Sequence, residues 1–442
     1  MSTTIFTIKR SEIEGRLDPF FYRPDFMQLE NAIKKAGALP LRNYVRGIAS
    51  GATPKTDEYD KYYSDKQNGI PFLRVQNLSP TSILNYEDCK YINKETHESM
   101  LYRSQVNEGD LLVKITGVGR MAVASVAPKD FVGNTNQHMC VIKTDDEKTS
   151  WILAAWLNTD IAEKLASRRA TGGTRPALDY PALLSIPIIF DERIYETMKN
   201  AVSEMKQKQQ QAKQLLDSID SYLLDELGIK LPEKDNSLSK RIFTTKFSEV
   251  SGGRWDPFWQ ISQKNKMKSN NFSEFKVKEL ANIQKGGSIT SDEIKEGNFP
   301  VIAGGKTSPY SHNVSNFNGN VITISASGAY SGYVWYHKRP IFASDCSVLT
   351  SLDESNCTTL FLYEVLHLKQ EELYNLQQGA GQPHVYPDDI AEIKIPLPPL
   401  PKQKEIASHI REIHEQAKQL QVEAEQTMQE AKKQIEKMIL GE

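Results

Sequence analysis

Two kinds of short segment in this chain imitate the motifs of phosphate-binding and methyltransferase sites. Residues 304–307 read Gly-Gly-Lys-Thr, but a phosphate-binding loop needs a glycine five positions before its Gly-Lys pair, and position 300 is a proline. Residues 18–20 and 256–258 both read Asp-Pro-Phe and lack the second proline of an amino-methyltransferase loop, and no glycine-rich cofactor signature precedes either. We therefore expect neither a nucleotide site nor a methyltransferase site here.

A third segment imitates the metal motif of a nuclease. Asp388, Glu392 and Lys394 have suitable side chains, but they are too close in sequence to come from separate strands and share a Mg²⁺ ion. Residues 117–119 (Gly-Val-Gly) lack the third glycine of a dinucleotide-binding fingerprint, and the eight histidines form no cluster. The sequence thus predicts no catalytic constellation and no bound metal.

Polar residues in the loops of the chain are instead suited to reading the edges of DNA bases. Arg and Lys pair with guanine, Asn and Gln with adenine, and Ser and Thr with either. In the first half of the chain the predicted DNA-binding residues are Thr53, Lys55, Arg74, Gln76, Lys114, Thr116, Arg120, Asn136, Gln137, Thr174 and Arg175. In the second half they are Lys285, Lys306, His312, Ser327, Tyr330, Gln382 and His384.

For any single member of these sets, the alternative is a solvated loop residue or a turn hydrogen bond, because the same residue types dominate loops in general. The two sets taken together support DNA recognition more strongly than any single residue does. They occur at matching places in the two halves but differ in composition, as expected if two copies of one scaffold read two different sequences.

The elements that position these residues form a tandem repeat. The opening segment, 6–20, recurs with one inserted residue as 243–258. Further matches follow in the same order: glycine-rich turns at 50–53 and 286–289, apolar runs with a proline at 70–73 and 299–302, β-rich runs at 110–119 and 320–328, and turns at 172–176 and 379–383. Both copies end on an Ile-Pro pair, at 186–187 and 395–396. We expect each copy to be a mixed α and β domain.

After each closing proline, apolar residues recur at alternating steps of four and three, a pattern typical of a coiled-coil helix. Each pattern lasts about 35 to 40 residues, so each helix would be about 55 Å long at 1.5 Å per residue. The narrow apolar stripe suits a two-stranded coiled coil, so we expect the two helices to pair antiparallel. The alternative is that each helix packs separately onto its own domain. Gly228 is the expected C-cap of the first helix, and 232–239 is expected to be a linker.

Composition limits the classes of function further. The 442 residues are 39% hydrophobic and 25% charged, with 54 basic against 56 acidic residues and a net charge of −2. That balance excludes a polycationic DNA-coating protein, so any DNA contact must be local or shared with a partner. We expect no signal peptide, no membrane span and a cytoplasmic location. The four cysteines have neither disulfide nor zinc spacing and are expected to be reduced, packed thiols.

The order of variable unit, long helix, second variable unit and second long helix resembles the specificity subunit of type I restriction-modification enzymes. The proline-rich lead-in to the last helix, 395–403, strengthens the resemblance, which covers essentially the whole chain. It implies two target-recognition domains that read a bipartite double-stranded DNA site. It also implies partners: modification (methyltransferase) subunits, two of them expected, and restriction subunits that are ATP-dependent translocases and nucleases.

By the same resemblance, this chain is non-catalytic and binds no cofactor itself, and S-adenosylmethionine, ATP and Mg²⁺ belong to the partner subunits. The lead-in would dock partners through Leu397, Pro398, Pro399, Leu400, Pro401 and Gln403. The chain departs from the family pattern at Lys402, where the motif usually has Glu, and at 186–191, where most prolines of the first copy are missing.

The sequence therefore predicts an α+β fold with two pseudo-repeated mixed α/β target-recognition domains separated by two long antiparallel coiled-coil helices. The expected boundaries are 1–190 for the first domain, 191–232 for the first spacer helix and linker, 233–400 for the second domain and 401–442 for the second spacer helix. Two alternatives remain: a coiled-coil interaction scaffold whose loops do not touch DNA, and the specificity chain of a modification-only system that lacks the nuclease.

Overall fold

The computed structural model describes residues 5–14, 16–231, 244–247, 260, 267–379 and 381–441. The expected linker at 232–239 and the repeated segment at 248–258 lie outside the described residues. The chain divides into two compact units. The first unit comprises Met1–Gln210 and Leu420–Glu442, and the second unit comprises Gln211–Gln419. Each long helix therefore contributes one part to each unit.

The first unit is a mixed α/β domain built on two sheets. The five-stranded sheet has the order Gly47–Ser50, Met139–Lys143, Leu111–Lys114, Ala124–Val126 and Ser82–Ile83, and the four-stranded sheet has the order Lys90–Ile92, Ile70–Leu73, Val132–Thr135 and Gln105–Asn107. A short pair joins Leu39–Pro40 to Pro187–Ile188. The α-helices are Pro24–Lys35, Tyr59–Tyr62, Lys94–Glu98, Glu147–Leu157, Asp160–Arg169 and Tyr180–Leu184, besides part of the long helix Glu192–Leu227.

The second unit repeats this plan in a reduced form. Its four-stranded sheet has the order Ala281–Lys285, Cys346–Ser351, Val321–Ser325 and Val334–His337, and its three-stranded sheet has the order Ser311–His312, Phe299–Ile302 and Phe342–Ala343. Two short pairs join Glu274–Lys276 to Lys394–Pro396 and Ile229–Lys230 to Lys268–Ser269. The α-helices are Val277–Leu280, Thr359–Leu368, Gln370–Tyr374 and Pro387–Ala391, besides part of the long helix Leu400–Leu440.

Strand register confirms the repeat. In the first unit, Ile70–Leu73 pairs parallel with Val132–Thr135, and the next strand along the chain turns back into the larger sheet. In the second unit, Phe299–Ile302 pairs parallel with Phe342–Ala343 in the same way. The α+β fold expected from the sequence is therefore confirmed, including its two pseudo-repeated domains.

The two long helices pack against one another within each unit, and both also join the domain core. In the first unit, the Lys208 ammonium lies 2.9 Å from Glu204 on its own helix and 3.5 Å from Glu423 on the other. In the second unit, Tyr222 packs against His409 with ring centroids 4.4 Å apart. In both units the pairing is antiparallel, as expected.

The apolar stripes of the helices are shared between helix pairing and the domain cores. Ile194, Met198 and Met205 of the first helix lie in the same buried cluster as Met428 and Ile435 of the second. This cluster also contains the buried helix Glu147–Leu157, so the helices are anchored to the domain rather than projecting freely from it. The alternative in which each helix packs only onto its own domain is not what the structure shows.

The first long helix ends as the sequence predicts. Leu227 is its last residue, and Gly228 follows with a φ of +60°, a left-handed conformation that glycine adopts without a Cβ clash. All four cysteines are free and buried, and burial raises the pKa of Cys140, Cys346 and Cys357 to about 12. Within the described ranges, no helix is both long and apolar enough to cross a membrane.

Candidate DNA-recognition site

The first unit gathers predicted DNA-binding residues at one end of its larger sheet. Thr116, just beyond the strand Leu111–Lys114, forms a β-bridge with Ala177, which brings the turn that carries Arg175 to the strand end. From a third segment, the Thr53 hydroxyl donates a hydrogen bond of 2.6 Å to Gln137 Oε1. Backbone contacts thus bring Thr116, Arg175 and Gln137 together, and a side-chain hydrogen bond adds Thr53.

His138, which the sequence analysis did not single out, occupies the centre of this cluster. Its carbonyl accepts hydrogen bonds from the backbone N–H groups of Ile115 (3.0 Å) and Thr116 (3.2 Å), which fixes the 136–138 turn against the strand end. Burial, together with the Arg175 cation, holds the pKa of the His138 imidazole below its ordinary value of 6.5. At neutral pH the ring is therefore uncharged and offers one donor and one acceptor.

The second unit builds the same junction with different side chains. Ser327, just beyond the strand Val321–Ser325, forms a β-bridge with His384, and the Gly328 N–H donates a hydrogen bond of 3.0 Å to the carbonyl of Pro383. The Ser327 hydroxyl donates to the Asp345 carboxylate. Asp345 was absent from the sequence-based set.

A surface cleft of about 470 Å³ lies beside this junction. Its walls include Lys285, Ser288, Asp345, His384 and Tyr386. The His384 and Tyr386 rings stack with centroids 6.2 Å apart, and Tyr386 is 49% exposed. The cleft thus combines a cation, a carboxylate, a hydroxyl and aromatic faces on one surface, which are the groups that contact bases and phosphates in protein–DNA interfaces.

Lys306 lies on a neighbouring loop of the second unit. Its ammonium is 4.7 Å from the ring centroid of Tyr330 and 5.5 Å from that of Tyr333, so the aromatic rings orient a cation that remains exposed to solvent. A Cβ at Gly304 in the same loop would lie 2.7 Å from the carbonyl oxygen of Ser327. Only glycine therefore permits this loop to approach the junction so closely.

Two predicted residues of the first unit are engaged inside the protein. Lys114 is 5% exposed, and its ammonium donates a hydrogen bond of 2.7 Å to the carbonyl of Val118. Burial lowers the pKa of Lys114, an effect that Glu163 opposes. Arg120 forms ion pairs with Asp160 at 2.9 Å and with Glu163 at 3.0 Å. Lys114 thus bonds to the loop 117–119, and Arg120 is tied to the helix Asp160–Arg169.

Two further predicted residues are also buried. Asn136 is 6% exposed, and its side-chain oxygen accepts a hydrogen bond from the backbone N–H of His138. His312 is 8% exposed, and its Nδ1 accepts from the backbone N–H of Lys295 at 3.0 Å. Both side chains shape loops in this structure, and their direct contact with DNA stays a prediction.

The other predicted residues of the first unit lie on loops without joining the junction through a described contact. Lys55 is exposed and lies 3.7 Å from Glu58, and Gln76 is exposed beside the half-buried Arg74. The Arg74 backbone N–H donates to Asn77 Oδ1, which closes the turn that carries it. Thr174 is exposed on the same turn as Arg175, and Gln382 is exposed on the equivalent turn of the second unit.

The segment predicted to bind partner subunits is partly buried within the second unit. Gln403 is fully buried and its amide donates to the carbonyls of Asn356 and Pro398, while its side-chain oxygen accepts from the Thr358 N–H. Pro398 is buried, Leu397 and Leu400 are half-buried, and Pro399 and Pro401 are exposed. The exposed prolines and the flanking leucines form the accessible part of the segment.

Among the residues that the structure describes, no three His, Cys, Asp or Glu side chains are grouped as a metal site. Sequence reasoning missed His138, Asp345 and Tyr386, although it selected other His and Tyr residues by type. The hydrogen-bond pattern of the structure relates two of them. His138 and Asp345 occupy equivalent positions, since their carbonyls accept from the backbone N–H groups of Ile115 and Ala326 respectively.

Comparison with known proteins finds similarity to one family. Residues 269–426 match the family model described as type I restriction modification DNA specificity domain. The chain is 32% identical over 143 residues to a type I restriction enzyme specificity subunit of Mycoplasma pneumoniae, a match that covers 31% of this chain and 42% of that protein. It is 36% identical over 92 residues to one of Methanocaldococcus jannaschii, covering 20% of this chain and 21% of that protein.

The chain thus spans less than half the length of these two relatives. A crystal structure of a type I restriction-modification S subunit from M. genitalium is also similar, with 16% identity, a TM-score of 0.42 and coverage of 91% of this chain and 94% of that one. The resemblance read from the repeat and the proline-rich lead-in is confirmed by the family match and the curated relatives. Residues 269–426 therefore carry the type I restriction modification DNA specificity domain, and the chain is similar to type I specificity subunits over part of its length.

Proposed function

We propose that this chain recognises a bipartite double-stranded DNA site, with each unit reading one half. The observation that carries the proposal is the duplicated junction: the same backbone hydrogen bonds recur in both units, while the exposed side chains on the frame differ. Gly117 and Gly328 donate to the carbonyls of Pro176 and Pro383, both at 3.0 Å. A repeated frame with divergent polar groups is what two readers of different base sequences require.

Equivalent positions of the two units offer different hydrogen-bonding chemistry. Arg175 and Gln382 both precede the proline of the bridging turn, so a guanidinium in the first unit replaces an amide in the second. Arginine pairs with the O6 and N7 acceptors of guanine, and glutamine pairs with the N6 and N7 edge of adenine. The two units therefore favour different half-sites.

The long helices are proposed to set the spacing between half-sites. Two readers on one face of B-DNA lie about 34 Å apart, one helical turn, with uncontacted base pairs between them. The first helix has 36 residues and the second 41. At 1.5 Å per residue the helices are about 54 and 62 Å long, enough to hold such a separation. Four residues inserted into the first helix should alter the spacer while both half-site sequences persist, whereas an unaltered spacer would refute this role.

The proposal includes partners and a division of labour. The chain is a non-catalytic recognition subunit, two modification subunits supply S-adenosylmethionine-dependent adenine methylation, and restriction subunits supply ATP- and Mg²⁺-dependent translocation and cleavage in the cytoplasm. The near-neutral charge of −2 supports shared DNA binding, because few phosphate contacts by one chain give limited affinity. The long helices and the segment 397–403 are the proposed docking surfaces.

The test is to co-express the chain with the methyltransferase encoded beside it in a methylation-free host and to map modified adenines by long-read sequencing. We expect one split motif that is absent when this chain is omitted. If the two proteins are shown to be assembled and yet no new methylation appears, the proposal fails and the scaffold function is favoured. Restriction of unmodified phage, measured with and without the neighbouring nuclease gene, separates a complete system from a modification-only one.

A further inference from the structure

Asp345 differs from every residue that the sequence predicted to contact DNA, because its side chain is a carboxylate. It lies at the tip between the strands Phe342–Ala343 and Cys346–Ser351, at one wall of the cleft in the second unit. Its side chain is exposed, and its carbonyl accepts a hydrogen bond of 3.1 Å from the Ala326 N–H, which anchors the tip to the end of the central strand.

The carboxylate is held by one hydrogen bond and lies beside a neighbouring loop. The Ser327 hydroxyl donates to Asp345 Oδ2. A Cβ at Gly304 would lie 3.4 Å from the same oxygen, so the glycine-rich loop passes directly beside it. Next to Asp345 in the chain, the Ser344 carbonyl oxygen would lie 2.0 Å from a Cβ at Gly286. Because Gly304 and Gly286 have no Cβ, the backbone packs closely around Asp345 and the cleft stays open.

An ionised carboxylate only accepts hydrogen bonds. In the DNA major groove, cytosine N4 and adenine N6 are the amino donors, whereas guanine O6 and N7 and thymine O4 are acceptors. Asp345 would therefore accept a hydrogen bond from the amino group of a cytosine or adenine beside it. If the base pair were reversed, the carboxylate would face an acceptor of guanine or thymine instead. A buried acceptor without a donor is disfavoured, which converts the difference into base selection.

We propose that Asp345 is a specificity-determining residue that reads the exocyclic amino group of one base, cytosine N4 or adenine N6, in the half-site bound by the second unit. Ser327 is its positioning residue. In the first unit the equivalent residue, His138, is a neutral imidazole, so the two half-sites differ at the corresponding position. This inference rests on the proposed function, because it requires the second unit to contact DNA.

The experiment compares the wild-type chain with D345A and D345N, each co-expressed with the neighbouring methyltransferase in a methylation-free host. Modified adenines are mapped by long-read sequencing. We expect both variants to lose selectivity at one position of one half-site by about tenfold or more, since one good base contact accounts for discrimination of that order. The second half-site and the spacer should stay unchanged. The identity of the relaxed base pair, G·C or A·T, distinguishes cytosine N4 from adenine N6.

D353N is the matched control, because Asp353 caps a turn with Ser355 and does not line the cleft. It should leave the whole motif unchanged. A wild-type complex that methylates a split motif, combined with D345 variants that assemble and retain strict selectivity at every position, overturns the inference but not the proposed function. A loss of methylation spread evenly over both half-sites also overturns it, because that result marks a structural role. No methylation by the assembled wild-type complex overturns the proposed function itself.

Discussion

Lys402, at the start of the second long helix, forms an ion pair with Glu226, near the end of the first, with Nζ 2.5 Å from the carboxylate. The same ammonium lies 2.9 Å from Glu405, one turn further along its own helix. Hydrogen bonds to both carboxylates raise the pKa of Lys402. The residue that departs from the family motif thus joins the two helices within the second unit.

We expect E226Q to lower the free energy of unfolding slightly, because both partners are partly exposed and solvent screens the pair. E405Q is the matched control, since it removes only the pair within one helix and should cost less. Chemical denaturation at low and high salt measures both variants. Equal effects of the two variants would show that the Lys402–Glu226 pair contributes nothing specific to helix pairing.

A buried charge network stabilises the first unit. Glu30 is 2% exposed and bonds to both Arg168 and Arg169, which are themselves buried. Removing one member of such a network leaves buried charge uncompensated, so E30Q should destabilise the first unit by about 3 to 5 kcal/mol. K34Q is the control. The Lys34 ammonium lies 2.8 Å from the Glu30 carboxylate, but the Lys34 side chain is 52% exposed. K34Q should therefore lower the free energy of unfolding by less than about 1 kcal/mol.

The same network predicts a dependence of stability on acid pH. Burial alone would raise the pKa of Glu30, but the charges and hydrogen bonds of Arg169, Lys34 and Arg168 outweigh it and hold the pKa below the ordinary 4.5. The stabilisation is therefore fully present above pH 4.5 and is lost as pH falls through the lowered value. The free energies of unfolding of the wild type and E30Q should converge as the pH falls from 6 to 3. A difference that stays constant over this range would contradict the assignment.

For the buried Glu364 we expect the opposite dependence of stability on pH. It is 6% exposed on the helix Thr359–Leu368, and burial raises its pKa from 4.5 to about 7. The folded state favours the protonated form, so stability falls by about 3 kcal/mol as pH rises from 4.5 through 7. The free energy of unfolding of E364Q should equal that of the wild type near pH 4.5 and exceed it at pH 8. The exposed E371Q should show no such gain, and an E364Q variant no more stable at pH 8 would refute the burial argument.

Much of the fold was readable from the sequence because repetition and periodicity are sequence properties. The matched order of segments predicted two domains, and the heptad pattern predicted helices that the structure places at Glu192–Leu227 and Leu400–Leu440. The chemical type of a residue does not report its burial. Lys114 and His312 were selected as DNA-reading types, yet both side chains are buried and bonded within their own unit, because strand packing decides their exposure.

Asp345 and His138 show the converse limit. Neither residue was among those selected from the sequence. Their equivalence became visible only through register: each carbonyl caps the end of a central strand through the N–H of Ala326 or Ile115. The turn that carries His138, between Thr135 and Met139, is one residue longer than the turn that carries Asp345, between Ala343 and Cys346. A match of sequence letters alone therefore does not align the two residues.

The most direct measurement of the central claim, that each unit reads its own half-site, uses Arg175 and Gln382, the equivalent exposed residues of the two bridging turns. R175A and Q382A would each be co-expressed with the neighbouring methyltransferase, and the methylated motifs mapped beside that of the wild type. Loss of one base contact should cost about 1 to 3 kcal/mol at a single position. We expect R175A to relax one half of the split motif and Q382A the other, with the spacer unchanged. Changes by both variants in the same half, or an unchanged motif in both, would contradict the account.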